Sequence, residues 1–107
     1  MSFDLTNLPA LTCERYPDGK LERRMYRHPI SNEFHREDGP AVQCYHHETG
    51  IIELESYFID GILHREDGAA VIWYDRNGKP VVEEYWLANE RLSLKAFMER
   101  LMEDTGV

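Results

Sequence analysis

Nothing in this sequence approaches the ~20 consecutive apolar residues that a membrane-spanning helix needs. The amino terminus, Met1-Ser2-Phe3-Asp4-Leu5, lacks the basic and apolar regions of a secretory signal peptide. Cysteine is scarce. Cys13 and Cys44 are the only two, which fits a reducing cytoplasm better than a disulfide scaffold, so a cytoplasmic protein is expected. There is no glycine-rich phosphate loop, no Cys-x-x-Cys pair and no visible nucleophile–base pair of the serine-hydrolase kind. Positive charge is short as well, with 12 Lys and Arg against 20 Asp and Glu, a net charge of -8. The deficit is uneven. Residues 1–34 carry five acids and five bases, whereas residues 35–68 carry eight acids against only Arg36 and Arg65. Non-specific phosphate binding runs on Lys and Arg, so direct nucleic-acid binding is not expected. An acidic middle suits a basic partner, or simply keeps a small protein in solution.

What the sequence does contain is a repeat. His35-Arg36-Glu37-Asp38-Gly39-Pro40-Ala41-Val42 returns 29 residues later as His64-Arg65-Glu66-Asp67-Gly68-Ala69-Ala70-Val71, identical at seven of eight positions. A fixed period near 30 residues marks a repeat architecture. At 107 residues the chain has room for one domain and one modest core. The second unit runs from Ala41 through Tyr45, a turn at Gly50 and a strand over 55–59, to Leu63-His64-Arg65. The third runs from Ala70 through Tyr74 and the Asn77-Gly78 turn to 83–89. The first is looser, with Asp18-Gly19 at its turn and about two extra residues before His35. Asp-Gly and Asn-Gly are strong hairpin signals, because Gly accepts positive φ at no steric cost. Each unit therefore reads as strand, tight turn, strand, connecting loop.

Superposing the units puts Tyr26, Tyr57 and Tyr85 in one column and Phe58 with Trp86 in another on the opposite face. Arg24, Glu55 and Glu83 form a third. There, Arg24 beside Glu55 would be a favourable cross-strand pair and Glu55 beside Glu83 an unfavourable one. The repeats stop at residue 92. Ser93 is an N-cap candidate for a helix over 93–105, whose Leu94, Phe97, Met98, Leu101 and Met102 form an amphipathic stripe. Such a helix caps the last hairpin or the open sheet face, with docking to a partner as the alternative. The fold class expected is mainly β: stacked antiparallel hairpins in one sheet, a C-terminal capping helix, and a single domain over 1–107. Residues 1–11 would be an N-terminal arm, 12–92 the three repeats and 93–105 the helix.

The pattern Tyr-x-x-x-Gly followed by Leu-His-Arg-Glu-Asp-Gly-(Pro/Ala)-Ala resembles the variant MORN repeats. These occur in many small bacterial and phage proteins, including relatives of the YwqK-type antitoxin component. The resemblance covers residues 12–92. The first unit departs from it by its insertion, and the last ends in Asn89-Glu90-Arg91-Leu92. It implies a stack of hairpins used as a binding platform, and it transfers no catalytic residue.

His35, Glu37 and Asp38, with His64, Glu66 and Asp67, invite a metal or acid–base reading. The twofold occurrence favours structural punctuation instead: an Asp-bonded turn, a Gly with positive φ, and an Arg paired with a neighbouring carboxylate. His46-His47 beside Glu48 reads as a solvated hairpin tip, and Cys13 and Cys44 as small buried hydrophobes. No cofactor, metal or catalytic residue is expected. A single-layer sheet covered by one helix leaves some of Tyr26, Tyr45, Tyr57, Trp73, Tyr74, Tyr85 and Trp86 exposed. Aromatics ringed by carboxylates suit a protein interface, with packing within the sheet or in a homodimer as the equal alternative.

The leading expectation is a non-enzymatic module that neutralises a partner protein by occupying a basic functional surface. An antitoxin, an immunity protein or a phage counter-defence inhibitor such as an anti-CRISPR would all fit. The partner would be a nuclease or another nucleic-acid-binding effector. Glu48, Glu53, Glu55, Asp60, Glu66 and Asp67 would carry the charge, with Tyr57 and Tyr85 as anchors. The alternative is a self-associating scaffold, or a homodimer, built through open sheet edges. A third reading, an enzyme or metal protein built on the two loops, ranks below both.

Overall fold

The period of the sequence becomes a row of antiparallel strands. The computed structural model describes residues 8–104. Its elements are β1 (Ala10–Arg15), β2 (Leu21–Arg27), β3 (Val42–Tyr45), β4 (Ile52–Ser56), β5 (Phe58–Ile59), β6 (Ile62–Leu63), β7 (Val71–Tyr74), β8 (Pro80–Leu87), β9 (Glu90–Leu92) and α1 (Leu94–Asp104). One seven-stranded sheet runs β1-β2-β3-β4-β7-β8-β9, and β5-β6 pair apart from it. Most of the expected N-terminal arm lies outside the described residues, and its end is already strand.

Three long hairpins, β1–β2, β3–β4 and β7–β8, share one irregularity. Arg15 pairs with Leu21, Tyr45 with Ile52 and Tyr74 with Pro80, so Glu22, Glu53 and Val81 are each passed over. A bulge at one repeated position adds the same bend and twist to every unit. The tips turn through Gly19, Gly50 and Gly78, all at positive φ.

A second, short hairpin replaces the plain connecting loop that the sequence suggested. β5 returns as β6 through Asp60-Gly61, and the end of β8 returns as β9 through Ala88-Asn89; all four turn residues have positive φ. That is the turn geometry whose twist matches the flanking strands. In the first unit the same place holds a wider loop. Arg27 bridges to Phe34, and His28 N–H donates to the Glu33 carbonyl at 2.7 Å. The two extra residues are therefore absorbed at this turn, not in the sheet.

The expected column of Arg24, Glu55 and Glu83 exists, but its members are not neighbours. Gln43 lies between Arg24 and Glu55, and Ile72 lies between Glu55 and Glu83. The first strand of the next unit always intervenes, which removes both the favourable and the unfavourable pairing. On the other face Met25, Val42, Ser56 and Val71 form a buried row of cross-strand partners. Ala41 and Ala70 are buried where each connecting loop re-enters the sheet. Cys13 departs from expectation: it is exposed on the edge strand, while Cys44 is half-buried two strands away.

The helix forms where its cap places it. Ser93 Oγ accepts the Ala96 N–H at 3.1 Å. α1 packs on β8 and β9, with Phe97 buried against Tyr85 at a ring separation of 5.1 Å. Leu94 and Met98 remain exposed, so the stripe is only partly used among the described residues.

Candidate functional site

Each His-Arg-Glu-Asp-Gly loop is a clasp between successive units. His35 N–H donates to the Tyr26 carbonyl at 2.9 Å, and His64 N–H to that of Tyr57 at 3.1 Å. The next residues reach forward: Arg36 N–H donates to the Phe58 carbonyl and Arg65 N–H to the Trp86 carbonyl, both at 3.1 Å. The imidazoles accept from the following unit's short turn. Asp60 N–H donates to His35 Nδ1 at 3.0 Å, and Ala88 N–H to His64 Nδ1 at 2.9 Å. A nitrogen that accepts an N–H carries no proton of its own. The 3.3 Å approach of the Asp60 carboxylate to His35 Nδ1 is therefore not an ion pair made through that atom.

The arginines fold back over their own unit's tyrosine. The Arg36 guanidinium lies 4.1 Å from the Tyr26 ring centre, and that of Arg65 lies 4.0 Å from Tyr57. Arg36 Nε donates to Asp38 at 3.1 Å, and Arg65 Nε to Asp67 at 2.8 Å. A second guanidinium nitrogen donates to the carbonyl of Pro40 or Ala69. Gly39 and Gly68 were expected to supply positive φ, but neither has it. Their role is space: a Cβ on Gly39 would sit 2.9 Å from the Arg36 guanidinium carbon, and one on Gly68 3.0 Å from that of Arg65. In the last unit no such loop follows, and Phe97 takes the arginine's place over Tyr85.

Between the two loops lies a cleft of about 680 Å³, whose lining includes four carboxylates. Tyr57 and Ile59 line it together with Arg36, Glu37, Asp38, His64, Arg65, Glu66 and Asp67. The carboxylate side chains of Glu37, Asp38, Glu66 and Asp67 are 82, 85, 69 and 84% exposed, whereas those of Arg36 and Arg65 are each 23% exposed. The cations are thus turned inward and the anions outward. The Arg65 hydrogen bond and charge hold the Asp67 carboxyl below its ordinary range, and burial pushes the Tyr57 phenol up. With four carboxylates against two half-buried arginines, the cleft lining is net negative.

Glu66, Asp67 and Tyr57 of the expected partner-binding set therefore meet in one place, joined by Glu37 and Asp38 from the preceding loop. The others are dispersed. Glu48 is at the second hairpin tip, where His46, His47, Thr49 and Arg76 flank it. Glu53 is the bulge residue, 4.0 Å from His46 Nδ1. Glu55 is held from two sides, by Gln43 Nε2 at 3.1 Å and the Tyr74 hydroxyl at 2.5 Å. Burial, together with that carboxylate, drives the Tyr74 phenol far above its usual range. Asp60 is exposed at the short turn, and Tyr85 is half-buried under Phe97, its phenol raised by burial and by Glu83. The aromatics are less exposed than expected. All six tyrosines are half-buried, and among the described large aromatics Trp73 alone is exposed.

A second cluster joins the first two hairpin tips. His47 Nε2 lies 2.6 Å from Asp18, Tyr16 packs edge-on against His47, and the Tyr16 hydroxyl donates to the Tyr45 carbonyl at 2.8 Å. The Lys20 N–H and His47 together lower the Asp18 carboxyl. Among the described residues no group of three or more His, Cys, Asp or Glu side chains is placed to hold a metal ion, and no helix is long and apolar enough to cross a membrane.

Sequence reasoning missed the tyrosine–arginine stacks and the imidazole-to-turn bonds. A signal for the first was present: Tyr26 and Arg36 recur together as Tyr57 and Arg65. Comparison with protein-family models, curated proteins and solved structures finds no match to this chain.

Proposed function

We propose that the chain is a non-catalytic binding module that neutralises a protein partner by occupying a basic functional surface. The resemblance to variant MORN repeats belongs to the same proposal and rests on the repeated residues alone. One observation carries the reading. Four exposed carboxylates converge on one cleft while the two arginines of the same loops are turned inward onto tyrosines. A lysine or arginine of a partner entering this cleft meets carboxylate acceptors on both walls. Such side chains hold phosphates in nucleases and other nucleic-acid-binding effectors, so carboxylates placed against them compete with the nucleic acid. An antitoxin, an immunity protein or a phage counter-defence inhibitor would work in this way.

The test is affinity capture of the tagged full chain from host lysate treated with nuclease, read by mass spectrometry. A stoichiometric partner with a basic surface, retained after nuclease and lost when Glu37 and Glu66 are both changed to Lys, supports the reading. A partner held equally by the charge-reversed variant, or recovery of the bait alone, overturns it.

A further inference from the structure

The two ends of the sheet are finished differently. At one end β9 is three residues long and α1 packs over β8 and β9. At the other, β1 pairs with β2 alone among the described strands, and all six of its residues are exposed. Natural proteins blunt such edges with proline, charged side chains or a bulge. β1 has no proline and no bulge within Ala10–Arg15, since the extra residue of its hairpin lies on β2, and its two charges, Glu14 and Arg15, are of opposite sign.

The direction of each backbone group follows from the ladder. Tyr26 N–H points to Ala41 and so toward β3. Alternation then turns Met25 toward β1, where it pairs with Thr12. Leu11, Cys13 and Arg15 are left with N–H and C=O groups directed out of the sheet. These three outward residues are centred on Cys13. A second β1, antiparallel about a dyad through Cys13, places Leu11 opposite Arg15 of the second copy and Thr12 opposite its Glu14. That register uses every outward group, for about six hydrogen bonds, and sets no like charges opposite each other. A dyad at Glu14 would oppose two carboxylates, and one at Thr12 would leave Arg15 outside the ladder.

Charge favours the same end. Residues 1–34 hold five acids and five bases, while residues 35–68 are net -6. Contact through β1 brings neutral ends together and keeps the acidic middles apart.

We propose that β1 is a homodimer interface, with two copies paired antiparallel about Cys13 into one continuous sheet. The carboxylate cleft of each copy lies outside this interface. The far edge strand, β9, is three residues long against six for β1, so only β1 offers a full ladder and the assembly is a dimer.

Sedimentation equilibrium on the full chain should give twice the chain mass of 12.6 kDa. Cys13→Pro should reduce this to the single-chain mass with an unchanged far-ultraviolet spectrum, because the Cys13 N–H points outward and serves no bond among the described residues. Hydrogen exchange on the unaltered protein supplies a reading that does not depend on that variant folding. The Leu11, Cys13 and Arg15 amides should gain protection as protein concentration rises. A single-chain mass at every concentration, a dimer that persists in folded Cys13→Pro, or fast exchange of those three amides in the dimer would each overturn the proposal.

Discussion

At the scale of single residues, the repeated tyrosine–arginine stack is the smallest unit of this fold. Arg65 covers Tyr57, bonds Asp67 and bonds the Ala69 carbonyl. Arg65→Ala should therefore cost about 1–3 kcal/mol, read by urea unfolding, as the sum of a stacked cation and its hydrogen bonds. Lysine should not restore it, because an ammonium offers neither the plane nor the fork. The sequence paired Arg with a nearby carboxylate in these loops, as the structure has it. It misassigned Gly39 and Gly68, because a positive φ and a guanidinium pressed on a Cα leave the same residue in the sequence. Acid should weaken the fold through two carboxyls. Asp67 and Asp18 both have lowered folded pKa values, the first through Arg65 and the second through the Lys20 N–H and His47. Their contribution is complete above the unfolded value, about pH 4, and is lost as pH falls through the lower folded values. Asp67→Asn should flatten the acid side of a plot of Tm against pH.

At the scale of elements, turn chemistry explains which hairpins were legible. Asp18-Gly19 and Asn77-Gly78 announced the long hairpins, and Ser93 announced the helix. Asp60-Gly61 carried the same signal for the short hairpin, but the strand on either side is only two residues long and gives no alternation to read. Ala88-Asn89 carries almost none, since alanine rarely accepts the left-handed region where it sits at φ 48°. Ala88→Gly should relieve that strain and raise stability by about 1 kcal/mol in chemical denaturation. The bulges at Glu22, Glu53 and Val81 had no signal, because an acid–acid–valine set has nothing in common but its position. Phe97 stands in for the missing arginine over Tyr85 and is buried. Phe97→Ala should cost about 3–5 kcal/mol and expose the last hairpin, seen as early hydrogen exchange in β8 and β9.

At the scale of the whole molecule, the protein is a slab of 52 × 41 × 23 Å with four acids of its middle, Glu37, Asp38, Glu66 and Asp67, lining one cleft. The acidic middle was legible from residues 35–68 and pointed to Glu66 and Asp67, but not to Glu37 and Asp38 facing them across a cleft. That convergence needs the second hairpin to carry one loop onto the next unit, and it is long-range in a way no single segment records. Glu55, by contrast, reads in sequence as one more acid, yet Gln43 and the Tyr74 hydroxyl occupy it. The most direct measurement is the affinity of the captured partner for the wild-type chain, for Glu37→Lys with Glu66→Lys, and for Glu99→Lys on the far helix, each over a range of salt. The account predicts that the cleft variant loses about tenfold or more in affinity and most of its salt dependence, while the helix variant keeps both. Equal affinity and an equal salt slope for the cleft variant and the wild type would contradict it.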